Sequence, residues 1–324
     1  MKIKNNFSII FILLLWFSVS AVAQPLKVQH DLTVAKDGTG DYMYIQDAIN
    51  AVRVYLPKPI TIHIKNGVYV EKLEVYSTLT NIVFEGESAD STIISYDDYS
   101  GKGKMETFDS YTLKVMGNDL TFKNLTIQNT AGRVGQAVAL HVEGDRCVFK
   151  NCRFLGNQDT IFASGEGSRQ YFDSCHIEGT VDFIFGSSTA LFENCQILCK
   201  SDSYITAAST PQWAAYGYVF KNCHFTAAPD VSKIYLGRPW RDFSKTVFID
   251  CTLNLPVVEA GWHNWSRPKA EQTTFYAEYN STGMGASKNR VKWAHSLTEK
   301  EALNYTKEEI FSGKMIKETK GFWE

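Results

Sequence analysis

The chain has 324 residues, with 33 basic against 35 acidic side chains, a formal charge of −2 and 44% hydrophobic residues. That balance argues against a nucleic-acid partner, which a basic surface would attract. The length exceeds the usual single-domain size, yet no linker divides it, and elongated β architectures run this long as one unit.

Lys2 and Lys4 precede an apolar run from Phe7 to Phe17 and a small-residue stretch ending Ala21-Val22-Ala23. The pattern predicts a secretory signal peptide over residues 1–23, cleaved at Ala23/Gln24. The run is shorter than the roughly 20 apolar residues of a membrane span, and no later segment resembles one, so a soluble mature protein is expected. Cleavage removes two lysines and no acid, which takes the formal charge from −2 to −4. The protein is expected to be secreted, to the periplasm or the medium. Residues 24–324 then form a single domain.

In the mature chain, Ile45, Ala48, Ile49 and Val52 share one helical face. A helix there would cap the open end of a strand stack and protect its edge. Ile60 to Ile64 and Asn81 to Phe84 read as the first strands. Six hexads follow: Phe122-Lys-Asn-Leu-Thr-Ile127, Phe149-Lys-Asn-Cys-Arg-Phe154, Phe172-Asp-Ser-Cys-His-Ile177, Phe192-Glu-Asn-Cys-Gln-Ile197, Phe220-Lys-Asn-Cys-His-Phe225 and Phe248-Ile-Asp-Cys-Thr-Leu253. Their spacings of 27, 23, 20, 28 and 28 residues make an internal repeat. Apolar residues nearly alternate with polar ones, as in half-buried strands, and the Asn or Asp before Cys suits a tight bend. Periods in the twenties without a leucine-rich pattern predict an all-β, right-handed parallel β-helix. Leu297 to Phe311 reads as a short helical tail folded back on the coils.

Five of the seven cysteines, at 152, 175, 195, 223 and 251, share one repeat position. An exported chain allows one disulfide, Cys175 to Cys195, while buried free thiols serve equally well as small apolar residues.

Asp159 and Asp182 each lie ten residues after a Phe anchor. Stacked turns are ~4.8 Å apart, so equal phase brings side chains within reach of each other. Counting back from the following anchor adds Gln136 to the column of Asp159 and Asp182, with Arg238 returning to it two turns later. Two carboxylates at that spacing do not both ionise cheaply, so one stays protonated, and an Arg keeps the other charged. Acyl transfer needs that division between an attacking carboxylate and a proton-donating acid. Gln136 or Gln158 would donate to the oxyanion. No metal or cofactor is required, and the seven scattered His suggest no metal site. Against this stands the ordinary use of a single Asp as a turn cap in such folds.

These residues sit in motifs that resemble the pectin methylesterases: Val34-Ala-Lys-Asp-Gly-Thr-Gly-Asp41, Gly67-Val-Tyr-Val-Glu71, Gly135-Gln-Ala-Val-Ala-Leu140, Gly156-Asn-Gln-Asp-Thr160, Gly179-Thr-Val-Asp-Phe-Ile-Phe-Gly186, Leu236-Gly-Arg-Pro-Trp240 and Gly261-Trp-His-Asn-Trp265. Nearly all of the mature chain is covered. The resemblance implies hydrolysis of C6 methyl esters of homogalacturonan to pectate and methanol. It makes Asp182 the nucleophile, Asp159 the acid and then base, Gln136 and Gln158 the oxyanion donors, and Arg238 the partner of Asp182. Trp240, Thr107, Phe183 and Trp262 would contact the methyl-esterified polygalacturonate. Several family members carry a further N-terminal inhibitory region. Here the motifs start just after the signal segment, so control by propeptide removal is not expected. A capped β-helix has no obligatory partner, and a monomer is expected. The competing readings are a β-helix pectate lyase or polygalacturonase, which need Ca²⁺ ligands or carboxylates set for a glycosidic bond, and a non-catalytic pectin-binding module, which has no need for both Asp.

Overall fold

A computed structural model describes residues 30–312 and 321–323 of the chain. The expected signal peptide and its cleavage site at Ala23/Gln24 lie outside the described residues. No described helix is long and apolar enough to cross a membrane.

Each full repeat folds into three short strands, and successive repeats stack in parallel, building three sheets of eleven, eight and seven strands among the described residues. This is the right-handed parallel β-helix expected from the repeat. The hexad is a corner between two strands. Its first two residues close a strand of the eleven-stranded sheet, as in Cys147–Lys150, and its last two open a strand of the eight-stranded sheet, as in Arg153–Leu155. Between them the residue before Cys or Leu is left-handed at every copy: Asn124, Asn151, Ser174, Asn194, Asn222 and Asp250 have φ of 51–56°. Short polar side chains tolerate that region best, and this explains the recurring Asn and Asp.

Exact register makes the core a set of ladders. Phe84, Phe122, Phe149, Phe172, Phe192, Phe220 and Phe248 pair in sequence across the eleven-stranded sheet. Their rings stack with centroids 4.6–5.1 Å apart. Beside them run the cysteines. The thiol of each of the five hexad cysteines donates to the carbonyl of the Phe anchor one turn earlier, Cys175 to Phe149 at 3.4 Å and Cys195 to Phe172 at 3.5 Å. All seven cysteines are buried free thiols, so the Cys175–Cys195 bridge is not formed. The rung spacing of ~4.8 Å exceeds the ~3.8 Å that a disulfide asks of its Cβ atoms. Burial pushes the Cys152 thiol up to about 12.

The helix Ile45–Ala51 buries Ile45, Ala48 and Ile49. It packs against Leu32–Val34 and Leu73–Val75, end strands of two of the sheets. At the other end of the sequence, Lys307–Phe311 lies on the outer face of the eleven-stranded sheet, where Ile310 and Phe311 join Val148, Tyr171, Leu191 and Val219. Ion pairing of Lys307 with Glu193 at 2.7 Å fixes that docking.

Candidate active site

The site lies on the outer face of the seven-stranded sheet, which runs Leu73–Val75, Leu113–Val115, Leu140–Val142, Ile161–Ala163, Ile184–Gly186, Ser203–Ala208 and Ile234–Gly237. Ile161 pairs with Ile184, so Asp159 and Asp182, each two residues earlier, occupy neighbouring rungs. The backbone agrees: Asp159 N–H donates to Val181 O at 3.1 Å, and Asp182 N–H to Tyr204 O at 2.9 Å. Both aspartates are left-handed, with φ of 66° and 49°. Such backbone costs about 1 to 3 kcal/mol and persists only where the surroundings impose it.

The glycines of the two motifs supply part of that imposition. A Cβ on Gly179 would lie 2.2 Å from the Cβ of Phe183. Phe183 therefore folds into the space under Gly179 and is fully buried in the core. This corrects its expected place in the groove. Trp262 is corrected likewise. It continues the sheet beside Gly237, faces inward, and stacks on Tyr276 with centroids 4.4 Å apart.

Arg238 reaches Asp182 with a two-pronged grip, Nε to Oδ1 at 2.9 Å and Nη2 to Oδ2 at 2.6 Å. Register places Arg238 level with Phe185, because Thr206 pairs with both Ile184 and Gly237. It thus spans diagonally to Asp182 and does not share its row. The guanidinium is also sandwiched, its carbon 3.9 Å from the Tyr204 ring centroid and 3.6 Å from that of Trp265. Two aromatic faces hold the fork in plane and shield it from water.

Gln136 pairs with Gln158, one position before Asp159. The expected column of Gln136 with Asp159 is therefore off by one, and the two glutamines form their own pair beside the two aspartates. Both are half-buried, and neither side-chain amide bonds to another described residue, so both remain available as donors.

Asp159 is 7% exposed and Asp182 6%. Burial, then the charge of Asp182, pushes the Asp159 carboxyl well above its usual range, against a smaller pull from Arg238. Burial also raises Asp182, while the hydrogen bonds and charge of Arg238 oppose the rise. Burial and the neighbouring charge thus favour the protonated form of Asp159, while Arg238 favours the charged form of Asp182. Among the described residues, no group of three or more His, Cys, Asp or Glu is placed to hold a metal ion.

Next to the carboxyls lies an apolar floor of Phe162 and Phe185, stacked at 4.6 Å. Trp240 is half-buried against both, at 6.3 and 5.8 Å. Thr107 opens the turn Thr107–Asp109 and is half-buried, and the adjacent Phe108 stacks on Phe162 at 4.8 Å and is 40% exposed. Together these rings form a broad aromatic surface beside the carboxyls.

The Pectinesterase family profile matches residues 31–314. The chain belongs to the pectinesterase family. It is 39% identical over 305 residues to the probable pectinesterase/pectinesterase inhibitor 23 of Arabidopsis thaliana, covering 89% of this chain and 53% of that protein. Pectinesterase 31 of the same plant is 38% identical over 284 residues, covering 84% of this chain and 89% of its own. The solved pectin methylesterase from carrot superimposes with a TM-score of 0.82 at 32% identity, covering 90% of this chain and 95% of that one. The chain spans about half the length of the first curated relatives it matches.

Within this pectinesterase fold, sequence reasoning missed Tyr204, Trp265 and Phe108. Trp265 stands in a motif noticed only for its resemblance, and Phe108 is next to Thr107. Nothing in the local sequence marks Tyr204, which earns its place by falling one rung beyond Asp182.

Proposed function

We propose that this pectinesterase-family chain hydrolyses the C6 methyl esters of homogalacturonan through an aspartyl acyl-enzyme. The observation that carries the reading is the geometry: a buried Asp159 one rung from a buried Asp182 whose two oxygens are gripped by Arg238, a setting that favours the protonated form of Asp159. An Asp182 oxygen attacks the ester carbonyl carbon, and the oxyanion accepts hydrogen bonds from the Gln136 and Gln158 amides. Collapse breaks the bond to the methoxy oxygen, which takes the Asp159 proton and leaves as methanol. A mixed anhydride of Asp182 and the galacturonate carboxyl remains. Asp159, now a carboxylate, takes a proton from water as that water attacks the galacturonyl carbon, and pectate departs with Asp182 restored. Phe108, Trp240 and the Phe162–Phe185 floor would carry neighbouring sugar rings, with Thr107 at the edge.

A calcium-dependent lyase fits less well, because both oxygens of Asp182 are already held by Arg238. The enzyme is proposed to work as an exported monomer, delivered by residues 1–23. The test is methanol release from highly methylated pectin with and without EDTA, beside ultraviolet absorbance of unsaturated products. Methanol in a one-to-one ratio with new carboxylates, insensitive to EDTA, is expected. Unsaturated products without methanol would overturn the reading.

A further inference from the structure

Arg238 is capped by Trp265, and Trp265 is held in an unfavourable backbone state. Trp265 and Ser266 are both left-handed, with φ of 55° and 54°, a region bulky side chains avoid. Side chains of the same turn hold them there. The Trp265 N–H donates to His263 Nδ1 at 2.9 Å, and the Ser266 N–H donates to Asn264 Oδ1 at 2.9 Å. The His263 N–H itself donates to Gly237 O at 3.1 Å, the residue next to Arg238. Arg267 closes the far side by donating to Pro239 O at 3.1 Å and Trp240 O at 2.8 Å. The segment 262–267 is thus a clamp over the segment that carries Arg238.

A backbone N–H only donates, so His263 Nδ1 must present a lone pair, and the ring proton must sit on Nε2. We infer that His263 is a positioning residue for the proposed ester hydrolysis: its unprotonated Nδ1 holds the Trp265 turn over Arg238, and protonation there releases the cap on the Arg238–Asp182 pair. This inference rests on the esterase reading for its consequence, though not for its geometry. The groups that face His263 are the rings of Tyr204 and Tyr235, at 5.4 and 5.3 Å between centroids, and the cations Arg238 and Lys233. Burial first, then those two cations, lower the His263 pKa from 6.5. The folded state therefore favours neutral imidazole, and acidification through the lowered pKa removes the acceptor. Activity carries an acid-side limit from this imidazole in addition to that set by Asp182.

Two replacements separate the acceptor from the ring. In His263→Asn, Oδ1 stands where Nδ1 stood and does not titrate, whereas His263→Phe keeps a ring and has no acceptor. H263N is expected to keep kcat at neutral pH within about threefold and to move the acid limb to lower pH. H263F is expected to lose ~10-fold or more in kcat at every pH, with KM changed less, as a displaced catalytic group does. Long-range proton–nitrogen NMR of the full-length protein, with the His263 signals assigned by their loss in H263N, is expected to show the Nε2–H tautomer at neutral pH. An Nδ1–H tautomer, an acid limb unmoved in H263N, or a wild-type rate in H263F would each overturn the inference. A folded wild-type chain that releases no methanol sinks the esterase reading separately, and the nitrogen signals still decide whether His263 is the acceptor.

Discussion

Replacing Arg238 with Gln perturbs the site at its most constrained point. Arg238 makes two charge-assisted bonds to Asp182, at 2.9 and 2.6 Å, and Asp182 is 6% exposed. Each such bond contributes about 1.5 to 3 kcal/mol, about 3 to 6 kcal/mol for the two, and removing one partner of a buried ion pair costs about 3 to 5 kcal/mol, the range that applies to this replacement. Burial already raises the Asp182 pKa, and Arg238 is the group that opposes the rise. Without it the carboxyl takes up a proton, and a protonated carboxyl does not attack an ester. Since about 1.36 kcal/mol is a tenfold change, R238Q should lower kcat by about two to three and a half orders of magnitude at neutral pH. The acid limb of the pH–rate profile should move upward, so part of the activity returns on alkalinisation. The assay is initial methanol release from highly methylated pectin across pH, with circular dichroism as the folding control. A wild-type kcat with an unmoved acid limb would refute the reasoning, because Asp182 would then be ionised without Arg238.

Asp159→Asn should abolish turnover yet stabilise the fold. The folded pKa of Asp159 lies well above 3.8, so between the two values the unfolded chain ionises and the folded one does not, and stability falls as pH rises through that window. D159N should therefore raise stability at neutral pH by about 0.5 to 2 kcal/mol, with the gain vanishing below pH 3.8 in thermal melts; no gain at neutral pH would contradict the assigned protonation. Gln158→Ala should lower kcat by about 10² to 10³ with little change in KM, as loss of one oxyanion donor does, and steady-state kinetics showing mainly a raised KM would point to substrate binding instead. In the aromatic ladder, Phe172→Ala removes a ring stacked at 4.7 Å on Phe149 and 4.6 Å on Phe192, at a cost of about 3 to 5 kcal/mol by chemical denaturation; a loss under 1 kcal/mol would mean the ladder is not tightly packed.

The fold was legible because one hexad repeats with its turn chemistry intact. Phe marks the rung, Asn or Asp the left-handed corner, and Cys or Leu the next inward position. Phase counting brought Asp159 and Asp182 to neighbouring rungs because both segments run ten residues from their anchors. It failed for Gln136, which lies 13 residues before Phe149 while its partner Gln158 lies 14 before Phe172, so counting back from the following anchor gave Asp159 in place of Gln158. Alternation failed at Phe183 for a different reason. The left-handed Asp182 and the bare Gly179 let Phe183 and Ile184 both point inward, leaving Phe185 outside. The sandwich on Arg238 was out of reach of local reading, since its layers come from positions 204, 238 and 265.

The division of labour between the two carboxyls is tested most directly by measuring methanol release by Asp182→Asn on highly methylated pectin. That change keeps size and removes the nucleophilic charge, and circular dichroism and thermal melts report whether the β-helix is intact. The account predicts a folded protein whose rate falls by ~10⁴-fold or more, the scale at which losing a member of a catalytic group acts. A folded D182N protein within tenfold of the wild-type rate would contradict it and remove Asp182 as the attacking group.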